Sequence, residues 1–261
     1  MDILAIANQK GGVGKTTTAV NLASALAHRR KKVLLIDLDA QGNATTASGL
    51  DKRELEYSIA DVLLDDLPIY DAIVKTLNGY DMVGANNELS GSDLHLSQKQ
   101  ENHAILANAM QQLNNLPKKN GRPVKPYDYV IIDCAPSLSL LTINAMCATA
   151  GVIIPMQCEY FALEGLADLS QTIERLATLN PQLHIRGVLR TMFDPRNTLA
   201  NDVSKELLAH FGNLLFHTII PRNIRLAEAP AHGVSALDYE IQSKGAQAYI
   251  RLANEIIKQN R

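Results

Sequence analysis

The sequence predicts an α/β fold: a mostly parallel, twisted sheet flanked by helices on both faces. Short apolar runs recur along the chain and are continuous rather than alternating, as parallel strands covered on both faces require. Amphipathic stretches with helical spacing lie between them. The two kinds of segment alternate along the chain, a rhythm that implies right-handed crossovers within one sheet.

Residues 3–7 read as the first strand. A glycine-rich turn follows, then a helix with Ala19, Leu22, Ala23, Leu26 and Ala27 on one face. The run His28-Arg-Arg-Lys-Lys32 closes that helix. Cations there suit the negative end of a helix dipole, and a basic run is also a candidate for DNA. Residues 33–37 and 82–85 are the next strands, followed by a helical pattern over 99–115. Residues 116–126, with three prolines, a glycine and four basic residues, read as a surface loop. Strands at 129–133, 152–156, 185–191 and 218–220 then alternate with helices over roughly 138–149, 162–179, 199–211 and 243–258. No repeat, low-complexity segment or clear linker interrupts them, so residues 1–261 read as one domain.

A length of 261 residues suffices for a large core. Hydrophobic residues make up 46% and charged ones 20%, as in a globular protein. The net charge of −2 excludes a global basic field, so any nucleic-acid contact must come from a local patch. The three cysteines, Cys134, Cys147 and Cys158, form no C-x-x-C pair and suit a reducing compartment. The first apolar run is too short for a signal peptide, and no stretch approaches the ~20 residues that span a bilayer. The expected location is cytoplasmic.

The turn after the first strand reads Asn8-Gln-Lys-Gly-Gly-Val-Gly-Lys-Thr-Thr-Thr18. Gly11, Gly12 and Gly14, with Val13 among them, let backbone N–H groups turn inward around phosphate oxygens. The helix that follows adds the partial positive charge of its N-terminus. Lys15 is placed to reach β- and γ-phosphates, Thr16 to put its hydroxyl on Mg²⁺, and Thr17 to meet an α-phosphate oxygen. The common pattern G-x-x-x-x-G-K-[ST] fails at its first position, which is Gln9. Lys10 comes next, giving K-G-G-V-G-K-T with a second lysine.

Asp133 ends an apolar strand beside this loop. A carboxylate there can hold Mg²⁺ through water, although strand ends also carry aspartates with no ligand role. Asp37 and Asp39 are two apart, so in an extended segment both face one side. One of them near a γ-phosphate could orient an attacking water.

On these residues the sequence resembles the ParA/MinD group of ATPases with a deviant phosphate loop, and within it the Soj-like partitioning proteins. The resemblance extends to Leu34-Leu-Ile-Asp-Leu-Asp-Ala-Gln-Gly-Asn-Ala-Thr45 and Tyr129-Val-Ile-Ile-Asp-Cys-Ala-Pro-Ser137. It continues through Gln157-Cys-Glu-Tyr-Phe-Ala-Leu-Glu-Gly165, Thr191-Met-Phe-Asp194 and Ile220-Pro-Arg-Asn-Ile-Arg-Leu-Ala-Glu-Ala-Pro230. Residues 50–126 carry least of it. It implies MgATP as ligand, with Thr16, Asp39 and Asp133 at the Mg²⁺ site, Asp39 together with Lys10 and Lys15 as catalytic residues, and Asp37 in a supporting place. It implies an ATP-dependent homodimer in which Lys10 crosses to the partner's nucleotide. Lysine is a less complete substitute for an arginine finger, so slow intrinsic hydrolysis is expected, raised by partners.

Met192, Pro221 and Asn223 match the nucleotide side of the family. Glu159 and Glu164 match positions near the composite dimer site, or cap a surface helix. Arg196, Arg222 and Arg225 match segments that carry non-specific DNA contacts, which places the protein on the nucleoid. A ParB-like centromere-binding protein is the implied partner. No helix-turn-helix precedes the first strand, so operator recognition is not expected.

Two alternatives differ in sequence. A MinD-like membrane-positioning ATPase needs a C-terminal amphipathic membrane helix. Here Ala246, Tyr249, Ile250, Ala253, Ile256 and Ile257 form an ordinary core-docking stripe, opposed by Gln247, Arg251, Asn254 and Glu255. No membrane partner is expected. An iron–sulfur relative needs paired cysteines, and Cys134 and Cys158 only flank nucleotide-site segments.

Overall fold

A computed structural model describes residues 1–115 and 124–260 of the chain. The loop expected at 116–126 lies mostly outside the described residues. The strands are β1 (Asp2–Ile6), β2 (Val33–Leu38), β3 (Ile73–Lys75), β4 (Asp81–Val83), β5 (Tyr129–Cys134), β6 (Gly151–Gln157) and β7 (His184–Thr191). They form one sheet in the order β3-β4-β2-β5-β1-β6-β7. Every pairing is parallel except β3 with β4.

The helices are α1 (Lys15–His28), α2 (Asn43–Ala47), α3 (Ile59–Leu64), α4 (Ser92–Gln98), α5 (Ile105–Gln111), α6 (Leu140–Ala148), α7 (Ala162–Leu176), α8 (Thr198–Phe211), α9 (Ile224–Glu228), α10 (Ala236–Glu240) and α11 (Lys244–Gln259). Successive residues of each central strand enter opposite layers. Leu35, Ile131 and Ile153 join one core with α1 and α11. Leu34, Ile36, Val130 and Ile132 join the other with α3 and α5 to α8. This explains the unbroken apolar runs. The apolar stripe of α11, including Tyr249, Ile250, Ala253 and Ile256, is buried in the first of these cores.

The short helices α2, α3, α4, α9 and α10 were not expected, and three further elements differ from expectation. Residues 218–220 are not a strand. The chain follows β7, with Phe216 N–H donating to Val188 and Ile220 N–H to Arg190. However, the N–H groups of His217 and Thr218 donate to the Glu255 carboxylate at 2.7 and 3.0 Å, which interrupts the ladder. The helix expected over 99–115 is confined to Ile105–Gln111 and a 3-10 turn at Gln112–Asn115. Lys99 leaves α4 in extended conformation, and Glu101 takes a left-handed φ of 48°, which no helix can contain. Strand β3 was not expected. It precedes an Asn78-Gly79 turn, where Gly79 adopts φ 82°, and the Thr76 hydroxyl closes the hairpin onto the Tyr80 carbonyl at 2.6 Å.

Gly187 in β7 sits directly beneath the Phe216 ring, and a Cβ there would lie 2.5 Å from a ring carbon. Phe216 is fully buried, so the ring cannot move aside without repacking. Gly187→Ala is expected to lower stability by about 1–3 kcal/mol through overpacking, read as a lower urea midpoint at unchanged slope.

Candidate active site

Parallel strands bring their carboxyl ends to one edge of the sheet, where open α/β folds bind ligands. The loop after β1 lies at the centre of that edge. Its backbone turns at Gly12 (φ 74°) and Gly14 (φ 88°), conformations that disfavour any other residue. A Cβ at Gly11 or Gly12 would meet nothing within 4 Å, so this part of the loop is exposed and unobstructed. Gly14 precedes α1 and offers no side chain to cap it. The first-turn N–H groups of α1 are therefore available to an anion.

The loop is braced by its neighbours before any ligand arrives. The Asn8 amide donates to the Pro155 carbonyl at 2.8 Å, and its oxygen accepts from Lys10 N–H at 2.9 Å. Gln157 donates to the Gly12 carbonyl at 2.9 Å and Thr191 to that of Val13 at 2.8 Å. Lys15 is buried, and its ammonium donates to the Lys10 carbonyl at 3.0 Å. Burial lowers its pKa, while Asp133 opposes that shift. The two lysines diverge: the exposed Lys10 ammonium pairs with Glu159 of the same chain at 2.5 Å.

The carboxylates lie on β5 and at the end of β2. Asp37 and Asp133 are partners in the β2–β5 register, and both are completely buried. Asp37 is well held. It accepts from the Thr45 N–H (2.9 Å), the Thr45 hydroxyl (2.8 Å) and the Asp39 N–H (3.1 Å), tying the turn after β2 to α2. Neither oxygen of Asp133 has a hydrogen-bond partner. Burial raises the Asp133 pKa well above the ordinary carboxylate value, and Asp37 raises it further, against Lys15 and the Thr16 hydroxyl beside it. A buried carboxylate left without partners beside a second one is costly unless a cation meets it. The donor set therefore fits Mg²⁺. No three His, Cys, Asp or Glu among the described residues form a complete cage, and Mg²⁺ needs only one or two protein carboxylates, with water and phosphates supplying the rest. Asp39 is half-buried in the turn, its carboxylate accepting from Gln41 N–H at 3.0 Å.

A cavity of about 180 Å³ opens beside the loop, and Gly14, Thr17, Met192, Pro221 and Asn223 all line it. Arg222, expected at DNA, lines it too, and sequence reasoning missed Leu226 and Tyr249, which also line it. Their partners are 200 residues and more away in sequence, as in the contact of the Tyr249 hydroxyl with that of Thr18 at 3.1 Å. Met192 has φ 50°, a left-handed conformation rare for such a side chain. Such strain clusters at functional sites. The Met192 sulfur accepts from Gln157 at 3.1 Å. A larger cleft of about 870 Å³ shares Thr17 with this cavity and runs between α2 and Pro230. Glu164 lies exposed on the first turn of α7.

The three arginines differ in their surroundings. Arg196 forms a two-point pair with Asp194 at 2.9 and 2.7 Å. Arg225 pairs with Glu228 at 2.7 Å and Glu240 at 2.6 Å. Arg222 is exposed and enters no ion pair among the described residues. Arg196 and Arg222 flank Asp194, whose carboxyl is held low chiefly by its hydrogen bonds to Arg196.

A glycine loop ahead of an uncapped helix, a buried lysine and a strand-end carboxylate define a P-loop ATPase, here with a second lysine in the loop. The family model for the AAA domain matches residues 1–185. The chromosome partitioning protein ParA of Caulobacter vibrioides is 48% identical over 261 residues, 99% of this chain and 95% of its own. The sporulation initiation inhibitor protein Soj of Bacillus subtilis is 45% identical over 256 residues, 97% of each chain. Among solved structures, cobyrinic acid a,c-diamide synthase of Mycobacterium smegmatis, with a bound ATP analogue and magnesium, superimposes with a TM-score of 0.84. It is 34% identical, with 100% of this chain and 97% of that one covered. The chain belongs to the ParA/Soj family of chromosome partitioning ATPases.

Proposed function

We propose that this chain works as one ATPase domain over residues 1–261, cycling between a free form and an MgATP-bound homodimer that holds DNA non-specifically. Hydrolysis, stimulated by a ParB-like partner, ends the DNA-bound state. The observation that carries the reading is the unpartnered Asp133 carboxylate facing the open phosphate loop, with the buried Lys15 beside it.

In this reading the N–H groups of residues 11–17 bind the phosphates. Lys15 meets the β- and γ-phosphates and Thr17 the α-phosphate. Met192, Pro221 and Asn223 receive the base in the 180 Å³ cavity. Thr16 and Asp133, with Asp39 nearby, hold Mg²⁺, which when bound offsets charge on the phosphate oxygens. Asp39 orients the attacking water, and Asp37 fixes Asp39 through its N–H. Lys10 crosses to the second subunit's nucleotide. To do so it leaves Glu159, a half-exposed pair worth about 0–1 kcal/mol, so the exchange is easy. Glu159 then remains at the edge of the composite site.

DNA contact falls to Arg196, Arg222 and Arg225. The acidic partners of Arg196 and Arg225 keep the single subunit's patch weak, and dimerisation doubles it. Phosphate contacts act together in their salt dependence. Arg222→Ala and Arg225→Ala are each expected to weaken DNA retention and to reduce the salt slope by roughly one for each phosphate no longer neutralised. ATP-driven dimerisation of Arg225→Ala should be unaffected in filtration runs, whereas Arg222 also lines the 180 Å³ cavity. The burial of the α11 stripe against the core gives a membrane-bound alternative no support.

The decisive experiment combines Asp39→Ala with light scattering. With MgATP this variant is expected to accumulate as a dimer retained on DNA. If it stays monomeric, the dimer reading is wrong. Turnover of the unmodified protein should be slow alone and rise most when DNA and a ParB-like protein are added together.

A further inference from the structure

Glu255 lies on the polar face of α11, where the sequence gives it no task beyond solvation. In the structure its two carboxylate oxygens accept from consecutive backbone N–H groups, those of His217 and Thr218. Both belong to the segment that runs alongside β7 and ends at Pro221 and Asn223, in the wall of the 180 Å³ cavity. The hydrogen bonds of that segment show what the carboxylate does. Phe216 N–H donates to Val188 and Ile220 N–H to Arg190, so four residues of the segment span two of β7. A regular parallel ladder would give the Arg190 carbonyl to Thr218 instead. Glu255 takes that N–H, and the segment bulges by two residues.

Beyond Arg190 the count reverses. Arg222 N–H donates to Phe193, so two residues of the segment now span three on the β7 side. The extra residue falls at the end of β7, where Met192 adopts φ 50°. The two irregularities compensate, and bulges of this kind re-aim side chains beside sites. Arg190 holds both ends of the bulge. Its buried guanidinium donates to the Phe216 carbonyl at 3.1 Å and the Ser204 hydroxyl at 2.9 Å, and its own carbonyl receives Ile220 N–H at 2.9 Å. Glu255 holds the middle.

We infer that Glu255 is a positioning residue for the nucleotide's base: by holding the bulge at His217 and Thr218, it sets the register that brings Pro221 and Asn223 up to Met192. This rests on the assignment of the base to that cavity. Glu255 does not itself line the cavity, so it acts through the backbone. A carboxylate suits the place because two adjacent N–H groups need two acceptors. Glutamine supplies one acceptor and turns a donor toward the other N–H.

Titration calorimetry on the full chain with Mg²⁺ tests this with two probes, ADP, which carries the base, and pyrophosphate, which does not. Glu255→Gln is expected to weaken ADP about tenfold and pyrophosphate less than about twofold. The KM for ATP should rise with it, while kcat at saturation stays within about twofold. Arg251→Ala, one turn earlier on the same helix, should change neither. Linkage supplies a second test on the unmodified chain, because the base must in turn stabilise the bulge. Saturating ADP should slow hydrogen exchange at the His217 and Thr218 amides about tenfold more than saturating pyrophosphate does. Equal weakening of both probes would make Glu255 a support of the fold at large and overturn the inference. ADP binding unchanged by Glu255→Gln, or exchange at 217 and 218 indifferent to the base, overturns it as well. A variant that fails to fold leaves the decision to the exchange measurement. An unmodified chain that binds ADP no more tightly than pyrophosphate overturns the base assignment itself, and this inference with it.

Discussion

Lys15→Ala is expected to lower ATP affinity by at least about 100-fold and to remove measurable turnover, in a chain that still folds. The magnitude follows from the site. Lys15 is 7% exposed, so water cannot replace its ammonium when a phosphate arrives. Truncating one side of a buried, hydrogen-bonded charge pair costs about 2–5 kcal/mol, and 2.7 kcal/mol is already roughly 100-fold. The loop itself survives, because Asn8, Gln157 and Thr191 brace it independently of the lysine. Lys15→Arg is not expected to restore function, because a planar guanidinium fork does not reproduce the compact ammonium that donates to the Lys10 carbonyl. Titration calorimetry with MgATP checks the affinity and circular dichroism the fold. An alanine variant that binds ATP within threefold of the unmodified chain would remove Lys15 from the phosphate site.

The phosphate loop was legible because its chemistry is local. Residues 8–18 are consecutive, and glycine, lysine and threonine each act through their own backbone or side chain. The central strands were legible because burial on both faces leaves an unbroken apolar run. What escaped depends on distant partners. Glu255, some 37 residues downstream, takes the N–H groups of His217 and Thr218 and so interrupts the strand expected at 218–220. Tyr249 and Leu226 reach the 180 Å³ cavity from α11, whose sequence shows only a core-docking stripe, and from α9, which was not expected as a helix. The left-handed backbone of Met192 has no sequence signal, since methionine does not advertise it. The Asn78-Gly79 turn did carry a signal, the common hairpin dipeptide, and would have revealed β3. Of the three arginines proposed for DNA, sequence named the residue types but not the carboxylates that partner two of them. Glu228 and Glu240 approach Arg225 from one turn of its own helix and from the next helix along.

Asp133→Asn separates the structural penalty of the metal site from its function. The change keeps the side chain's shape and removes its charge. In the free protein the carboxylate is wholly buried, has no hydrogen-bond partner and faces Asp37 across the strand register. Burial pushes the Asp37 pKa up to about 6, but three donors favour its carboxylate form and keep it ionised at neutral pH. Removing the second acid therefore relieves repulsion at the centre of the sheet. The ligand-free variant is expected to be more stable by about 1–2 kcal/mol, a rise of roughly 2–8 °C in melting temperature. The addition of ligand reverses the order. The unmodified protein should gain more from MgATP than from ATP with a chelator, and that Mg²⁺-dependent increment should collapse in Asp133→Asn. Ligand linkage gives about 2.7 kcal/mol at a hundredfold excess over Kd, so the two shifts are easily resolved by calorimetry. A variant less stable without ligand would mean that Asp133 is held by the fold rather than opposed by it. A variant that keeps the full Mg²⁺ increment would place the metal elsewhere. The expected pair of opposite shifts is what a carboxylate positioned for a cation at the expense of the empty protein must produce.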